Sequence, residues 1–251
     1  MAGISAVIIT KNESENIARC IQAAAKAVEE VIVVDSMSED DTAEIARQSG
    51  ARVIQKEWLG YAQTKNFANG LAINNWILSI DADEVLSDEL IESIKNIELQ
   101  PSTVYALDRI NNYCGQWIKH SGWYPDWKKR LFDRRHVYWV GDYVHEKIKH
   151  PSDFKIVELT GLLEHYSYKT QEEHWERIER YTQLAAEEMH AKGTKSYLTK
   201  IWISPLFRFF RTYVLKMGFL DGKNGYLISK RNAILVHKKY QKLRSLAQKK
   251  E

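Results

Sequence analysis

Cysteine is scarce in this chain. Only Cys20 and Cys114 occur among 251 residues, far apart and without metal-ligand spacing, which excludes a disulfide scaffold and a cysteine-built zinc site. Cys20 reads as a small buried residue of a helix. Long apolar runs are also missing. The first one, Ile4 to Ile9, is about six residues long and turns polar at Thr10-Lys11-Asn12, without the basic start or longer apolar core of a signal peptide, so an unexported protein is expected. The most aromatic stretch, Tyr197 to Leu220, is interrupted by Pro205, Arg208 and Arg211 and cannot span a bilayer, although its composition fits a helix lying in the interface plane. No internal repeat or low-complexity segment occurs, and with 44% apolar residues the chain can bury one large core with an appendage.

Acidic residues nearly vanish from the C-terminal quarter. Residues 190–251 hold 15 Lys and Arg against Asp221 and Glu251, so a net charge of +3 hides a remainder with 21 basic and 31 acidic residues. Such a tail either meets something anionic, a membrane surface, a nucleic acid or a phosphorylated acceptor, or is a solvated basic helix.

What is present is an alternation of strand and helix. Residues 4–10 and 31–35 are β-branched runs typical of strands buried on both faces. Between them 13–28 reads as a helix that Ser14 can cap, with Ile17, Cys20, Ile21, Ala24 and Val28 at helical spacing. A helix at about 40–49, a strand at 52–55, a helix at about 61–74 and a strand at 76–80 follow, which predicts a parallel sheet with crossover helices. After about residue 100, short aromatic segments (104–107, 130–133, 137–140) without crossover helices predict antiparallel or mixed completion of the sheet. A charged helix is expected over 171–192.

In such sheets ligands bind beyond the carboxyl ends of the strands. There stand Thr10-Lys11-Asn12-Glu13, Asp35-Ser36 and Asp81-Ala82-Asp83-Glu84. In an extended segment residues i and i+2 share a face, so Asp81 and Asp83 can serve one site, and paired carboxylates with free coordination positions suit Mg²⁺ or Mn²⁺ together with a diphosphate. Alternatively these acids open a capped helix. Asp35 can accept hydrogen bonds from a base or ribose. Lys65, in the segment Gly60 to Asn66, places a cation at a helix start where phosphate is favoured.

The order of these motifs resembles the family 2 glycosyltransferases, most closely the bacterial lipopolysaccharide core glucosyltransferases. The resemblance is carried by Ile8 to Glu13, Val33 to Ser36 with Asp40-Asp41-Thr42, Gly60 to Asn66, Ser79 to Glu84, Trp123 to Arg134, and Val144-His145-Glu146-Lys147. It implies an α/β fold of the GT-A kind, a mixed sheet flanked by helices, over residues 1–170, with a basic helical extension over 171–251. Thr10, Asn12, Glu13, Asp35, Lys65 and Asp81 would then hold a nucleotide, UDP above all. Asp83 with Asp81 would bind Mg²⁺ or Mn²⁺, with His165 as a further ligand or a structural histidine. Glu146 would be the base of an inverting transfer, unless it merely pairs with Lys147 or Arg130. Arg130, Trp123 and Trp127 would form the acceptor side, or part of the core. Gly218 to Gly222 is also similar to the family, without an assigned role.

The activity so implied is transfer of a hexose, glucose first, to a lipopolysaccharide core or other lipid-linked saccharide. The expected partners are that acceptor, the donor and an anionic membrane, rather than nucleic acid, with the protein cytoplasmic and peripheral on the inner membrane face. The chain has no Gln-x-x-Arg-Trp segment, unlike the processive synthases of that family. Two enzyme rivals fit less well. A haloacid-dehalogenase-type phosphatase would carry its Asp loop after the first strand, and a nucleotidyltransferase needs a Gly-rich loop there. A non-catalytic membrane-binding module would leave the converging acids unused.

Overall fold

In a computed structural model, residues 3–141, 146–194 and 197–248 are described. The chain divides into two compact units, one of Met1–Arg109 with Asp126–His165 and one of Ile110–Pro125 with Tyr166–Glu251.

The first unit opens with β1 (Ile4–Thr10), α1 (Ile17–Ala25), β2 (Glu30–Asp35), α2 (Thr42–Gln48), β3 (Arg52–Gln55), α3 (Tyr61–Gly70) and β4 (Trp76–Asp81). The four strands lie in the order β3-β2-β1-β4, all parallel. Their side chains alternate between two cores, as a two-sided sheet requires. Ile4, Ala6 and Ile8 of β1, with Val31 and Val33 of β2, pack under α1 and α2, whereas Val7, Ile9, Ile32 and Val34 pack under α3. The predicted parallel half is therefore present, with helices on both faces.

The predicted change of pattern after residue 100 is present too. β5 (Glu84–Leu86), α4 (Asp88–Asn96), β6 (Thr103–Tyr113), β7 (Gln116–Ile118), β8 (Trp127–Asp133), β9 (Tyr138–Val140), β10 (Lys147–Lys149) and β11 (Lys155–Tyr168) follow. β8 runs antiparallel to β4 and to β6, and β5 antiparallel to β11, so the sheet is mixed, in the order β3-β2-β1-β4-β8-β6-β11-β5 among the described residues. β9 and β10 form a separate antiparallel ribbon. Ser87 caps α4 by accepting from the Leu90 N–H, and its hydroxyl also accepts from the Leu162 N–H. Gly161 sits beside that cap at φ +97°, where a Cβ would fall 2.2 Å from the Leu90 nitrogen, so no other residue fits there.

The second unit holds α5 (Gln171–Ala191), α6 (Leu198–Phe210), a π-helical turn (Arg211–Leu215), a 3₁₀ turn (Gly218–Asp221) and α7 (Gly222–Gln248). α7 packs against α5 and α6. This unit differs from the expected 171–251 extension because it also takes in residues 110–125. The physical reason is Asp221, which is buried and accepts from the Lys119 and His120 N–H groups and the Ser121 hydroxyl. Gly225 lets α7 approach the preceding turn, since a Cβ there would lie 1.8 Å from the Gly218 carbonyl oxygen. The segment Gly218 to Gly222, left without a role by the sequence, is thus a clasp on the β7 strand region. Among the described residues no helix is long and apolar enough to cross a membrane.

Candidate active site

Strand register gathers the predicted residues. β1 aligns Thr10 with Asp35 of β2 and Ile9 with Asp81 of β4, so the carboxyl ends of three strands finish within one residue of each other. Thr10, Asp35 and Asp81 therefore share one edge of the sheet.

At the β1 and β2 ends the loops brace each other. The Asn12 N–H donates to Ser38 Oγ (2.9 Å), the Glu13 N–H to Thr42 Oγ1 (2.8 Å) and the Ser14 N–H to Asp40 (3.2 Å), while Asn12 Oδ1 accepts from the Glu39 N–H (2.9 Å). These bonds explain why α1 starts at Ile17, with Asn16 rather than Ser14 at the cap position. The amides of 12–14 are satisfied across the loops, not by helix capping. Asn12 takes a left-handed backbone, φ 54°, which asparagine tolerates. Thr42 and Ser14 also donate to the Asp40 carboxylate. Its slight burial works against ionisation, and those bonds outweigh it and lower its pKa. Asp35 is fully buried and accepts from the Ser38 amide (3.1 Å) and hydroxyl and from Gln55 Nε2 (3.1 Å). Beside it, the hydroxyls of Thr10 and Ser36 are buried without a hydrogen-bond partner. Buried polar atoms are nearly always paired, so two open ones at a strand edge suit an incoming ligand.

The β4 end is a charge network. Asp81 accepts from Lys65 Nζ (2.9 Å) and Arg130 Nη2 (2.7 Å). Glu84, fully buried, accepts from Arg130 (2.6 Å) and Arg109 (3.1 Å) through Oε1, and from the Asp81 N–H (3.0 Å) through Oε2. Arg109 also pairs with Asp126 (2.8 Å). Burial opposes ionisation of Asp81, yet Arg130 and Lys65 outweigh it and hold that carboxyl well below the usual carboxylate range. Burial likewise opposes the charge on Arg130, and Asp81 and Glu84 outweigh it, so the guanidinium stays charged. Glu146, just before β10, lies 3.4 Å from Lys65 Nζ, and the ammonium sits 4.4 Å from the Trp139 ring centre. Glu146 thus pairs with Lys65, not with Lys147 or Arg130. Val144 and His145 of the same motif lie outside the described residues.

Asp83 has a different hydrogen-bond partner. Residues 82–83 form a turn rather than an extended segment, and Asp83 meets His165 while Asp81 meets Lys65 and Arg130, although the two carboxylates still repel each other. His165 Nε2 lies 3.1 Å from Asp83 Oδ2. Burial raises the Asp83 pKa, and the neighbouring imidazole more than offsets this and lowers it. No group of three or more His, Cys, Asp or Glu is gathered for a metal among the described residues. Asp83 and His165 do fit a divalent cation, one oxygen and one nitrogen donor leaving coordination positions for diphosphate and water. Asp81 fits less well, because two cations already occupy its oxygens.

Two of the expected residues are engaged within the protein. Arg130, expected toward an acceptor, is buried and committed to Asp81 and Glu84. Lys65, expected toward phosphate, is a buried cation held by two carboxylates. Trp127 is exposed at the start of β8, whereas Trp123 lies in the second unit, packed edge-on to Tyr113 and tilted against Tyr168. Glu84, Arg109 and Asp126 had no role in the sequence reading. Only Glu84 carried a signal, as a third acid following a strand that already ends in two.

Comparison with known proteins follows the same outline. Residues 5–149 match the family model described as Glycosyl transferase family 2. An uncharacterized glycosyltransferase of Rickettsia felis is 34% identical over 91% of this chain and 85% of its own length. The lipopolysaccharide core biosynthesis glycosyltransferase LpsC of Rhizobium meliloti is 26% identical over 92% of this chain and 88% of its own. Among solved structures, glucosyl-3-phosphoglycerate synthase from Mycobacterium tuberculosis, in complex with Mn²⁺, UDP and glucosyl-3-phosphoglycerate, is 22% identical over 44% of each chain, with a TM-score of 0.36.

Proposed function

The chain belongs to glycosyl transferase family 2, and from the arrangement of its site we propose that it transfers a hexose from a nucleotide-sugar donor to an acceptor hydroxyl with inversion at the anomeric carbon. The observation that carries this reading is that β1, β2 and β4 finish within one residue of each other, with the open hydroxyls of Thr10 and Ser36, the braced Asp35 carboxylate and the Asp81 network at that end of the sheet. Asp35 and Thr10 would take the nucleoside, with Asn12 and Glu13 bracing the loop beside them.

Asp83 and His165 would hold Mg²⁺ or Mn²⁺, which when bound neutralises charge on the departing nucleotide diphosphate. Glu146 is the base: it takes the proton of the acceptor hydroxyl while that oxygen bonds to the anomeric carbon and the sugar–phosphate bond breaks. Lys65 positions it, because one buried ammonium ties Glu146 to the Asp81 end of β4. The donor is a UDP-sugar, glucose first, by the resemblance of the motifs. The acceptor is a lipid-linked saccharide of the lipopolysaccharide core kind, which the 26% identical LpsC supports. Such an acceptor places a peripheral enzyme at the inner face of the cytoplasmic membrane.

The test uses two variants, with donor binding measured by calorimetry and transfer by product analysis. Asp83→Ala should lose the effect of Mn²⁺ on donor binding and abolish turnover. Glu146→Gln should bind donor normally and transfer about 10²- to 10⁴-fold more slowly. Near-normal transfer by Glu146→Gln would remove it as the base.

A further inference from the structure

The second unit exposes apolar surface that its own fold leaves bare. Trp202, Leu206, Phe207 and Phe210 of α6, with Leu215 and Leu220 just after it, are all exposed, Leu206 to 72%. Positions 202, 206 and 210 recur every four residues and fall along one side of the helix. Within α6 only Ile201 is buried.

Charge is the second observation. From residue 197 to 248 the sequence carries eleven Lys and Arg and one acid, Asp221. That acid is buried and consumed by the clasp on 119–121. Arg211, Lys216, Lys223 and Lys230 are exposed. None of the four has an ion-pair partner among the described residues. A groove of about 580 Å³ opens beside Trp202, with Leu198 and Leu246 as apolar walls and Lys242 and Arg244 as cations.

We propose that this unit docks on an anionic lipid bilayer, with α6 lying in the interface plane, its aromatic and aliphatic side chains in the headgroup boundary and the surrounding cations on lipid phosphates. An apolar face flanked by Lys and Arg is the composition of helices that lie in the interface. Protein interfaces, in contrast, are depleted in lysine. A row of large apolar side chains left bare along one helix marks an interaction site. Spanning is excluded for every described helix by length and apolarity. The proposal extends the lipid-linked acceptor reading, but it rests on residues that the transfer reaction does not use.

The test is sedimentation of the full chain with phosphatidylcholine vesicles, with and without phosphatidylglycerol. Wild type should bind the anionic vesicles, and added salt should weaken binding by screening. Leu206→Glu with Phe207→Glu should bind at least about tenfold more weakly, since two large apolar groups leave the headgroup boundary. Arg211→Glu with Lys216→Glu should lose roughly twentyfold or more, at about fivefold for each basic group near an anionic surface. All four positions are exposed, so circular dichroism and melting should not change. Equal binding by wild type and the apolar variant overturns the proposal. So does failure to bind vesicles, including the case where light scattering shows dimers that the apolar variant dissolves, which would make the stripe a contact between copies. Transfer to a detergent-solubilised acceptor separates the two readings: it should survive both variants, and its absence in wild type would count against the proposed activity while leaving membrane docking untouched.

Discussion

Glu84→Gln perturbs the site with almost no change of shape. Both oxygens of the Glu84 carboxylate are used: Oε1 by Arg130 (2.6 Å) and Arg109 (3.1 Å), Oε2 by the Asp81 N–H (3.0 Å). Glutamine has one accepting oxygen. Turned toward the arginines, it points its NH₂ at the Asp81 amide; turned the other way, it points NH₂ at two guanidinium groups. At least one buried donor is stranded either way, at a cost of about 1–3 kcal/mol. Removing one partner of a buried ion pair costs about 3–5 kcal/mol. The lower end applies, since Arg130 keeps Asp81 and Arg109 keeps Asp126. The expected destabilisation is therefore about 3 kcal/mol.

Urea unfolding followed by tryptophan fluorescence measures this as a fall in midpoint at unchanged slope. The second arm is Arg109→Met added to Glu84→Gln. It removes one of the two cations left short of a carboxylate, so the double variant should be less destabilised than the two single changes added together, with a coupling of about 1 kcal/mol or more. A Glu84→Gln cost below about 1 kcal/mol, with additive single changes, would refute the network as a buried, mutually dependent set of charges.

Lys65→Met should leave the first unit folded but slow transfer more than tenfold at little cost in donor affinity, because Asp81 keeps Arg130 whereas Glu146 loses its cation; steady-state kinetics with calorimetry checks the split. His174, buried against Tyr113 and Arg231, has its pKa lowered from 6.5 to about 4 by burial first and then by Arg231 and Arg177. The folded state therefore holds fewer protons than the unfolded chain between those values, so stability should fall as pH drops from about 6.5 toward 4, by roughly 3 kcal/mol in all, and His174→Gln should flatten that limb of a denaturation-versus-pH curve. Asp221→Asn keeps one accepting oxygen of the two that serve Lys119, His120 and Ser121, so hydrogen exchange at the amides of 119 and 120 should accelerate by at least about tenfold, the loss of one buried hydrogen bond.

The parallel half of the fold was legible because its strands are buried on both faces. Ile4 to Thr10 and Glu30 to Asp35 are nearly unbroken β-branched runs, and burial of both faces is what writes such runs. The carboxyl-edge residues Thr10, Asp35 and Asp81 followed from that, since parallel register brings strand ends level. The start of α1 was not legible: Asn12, Glu13 and Ser14 find hydrogen-bond partners 26 to 29 residues away, which no local pattern encodes. The second unit's claim on 110–125 was hidden for the same reason, resting on Asp221 about 100 residues distant.

The division between Asp81 and Asp83 shows what spacing alone leaves open. Two carboxylates separated by one residue read as one metal site only while the segment is extended. The chain turns at 82–83 instead, and Asp81 falls within reach of Lys65 and Arg130 while Asp83 meets His165. A divalent cation competing for Asp81 would have to displace ammonium and guanidinium partners from a buried carboxylate, whereas at Asp83 it meets a single imidazole able to serve as a ligand itself. If the metal enters this site, the physical preference is therefore for the Asp83–His165 side. Asp81 then acts as the counter-ion that keeps Lys65, and through it Glu146, in place. Mn²⁺-dependent donor binding should accordingly be lost in Asp83→Ala and weakened in His165→Ala, yet survive in Asp81→Asn.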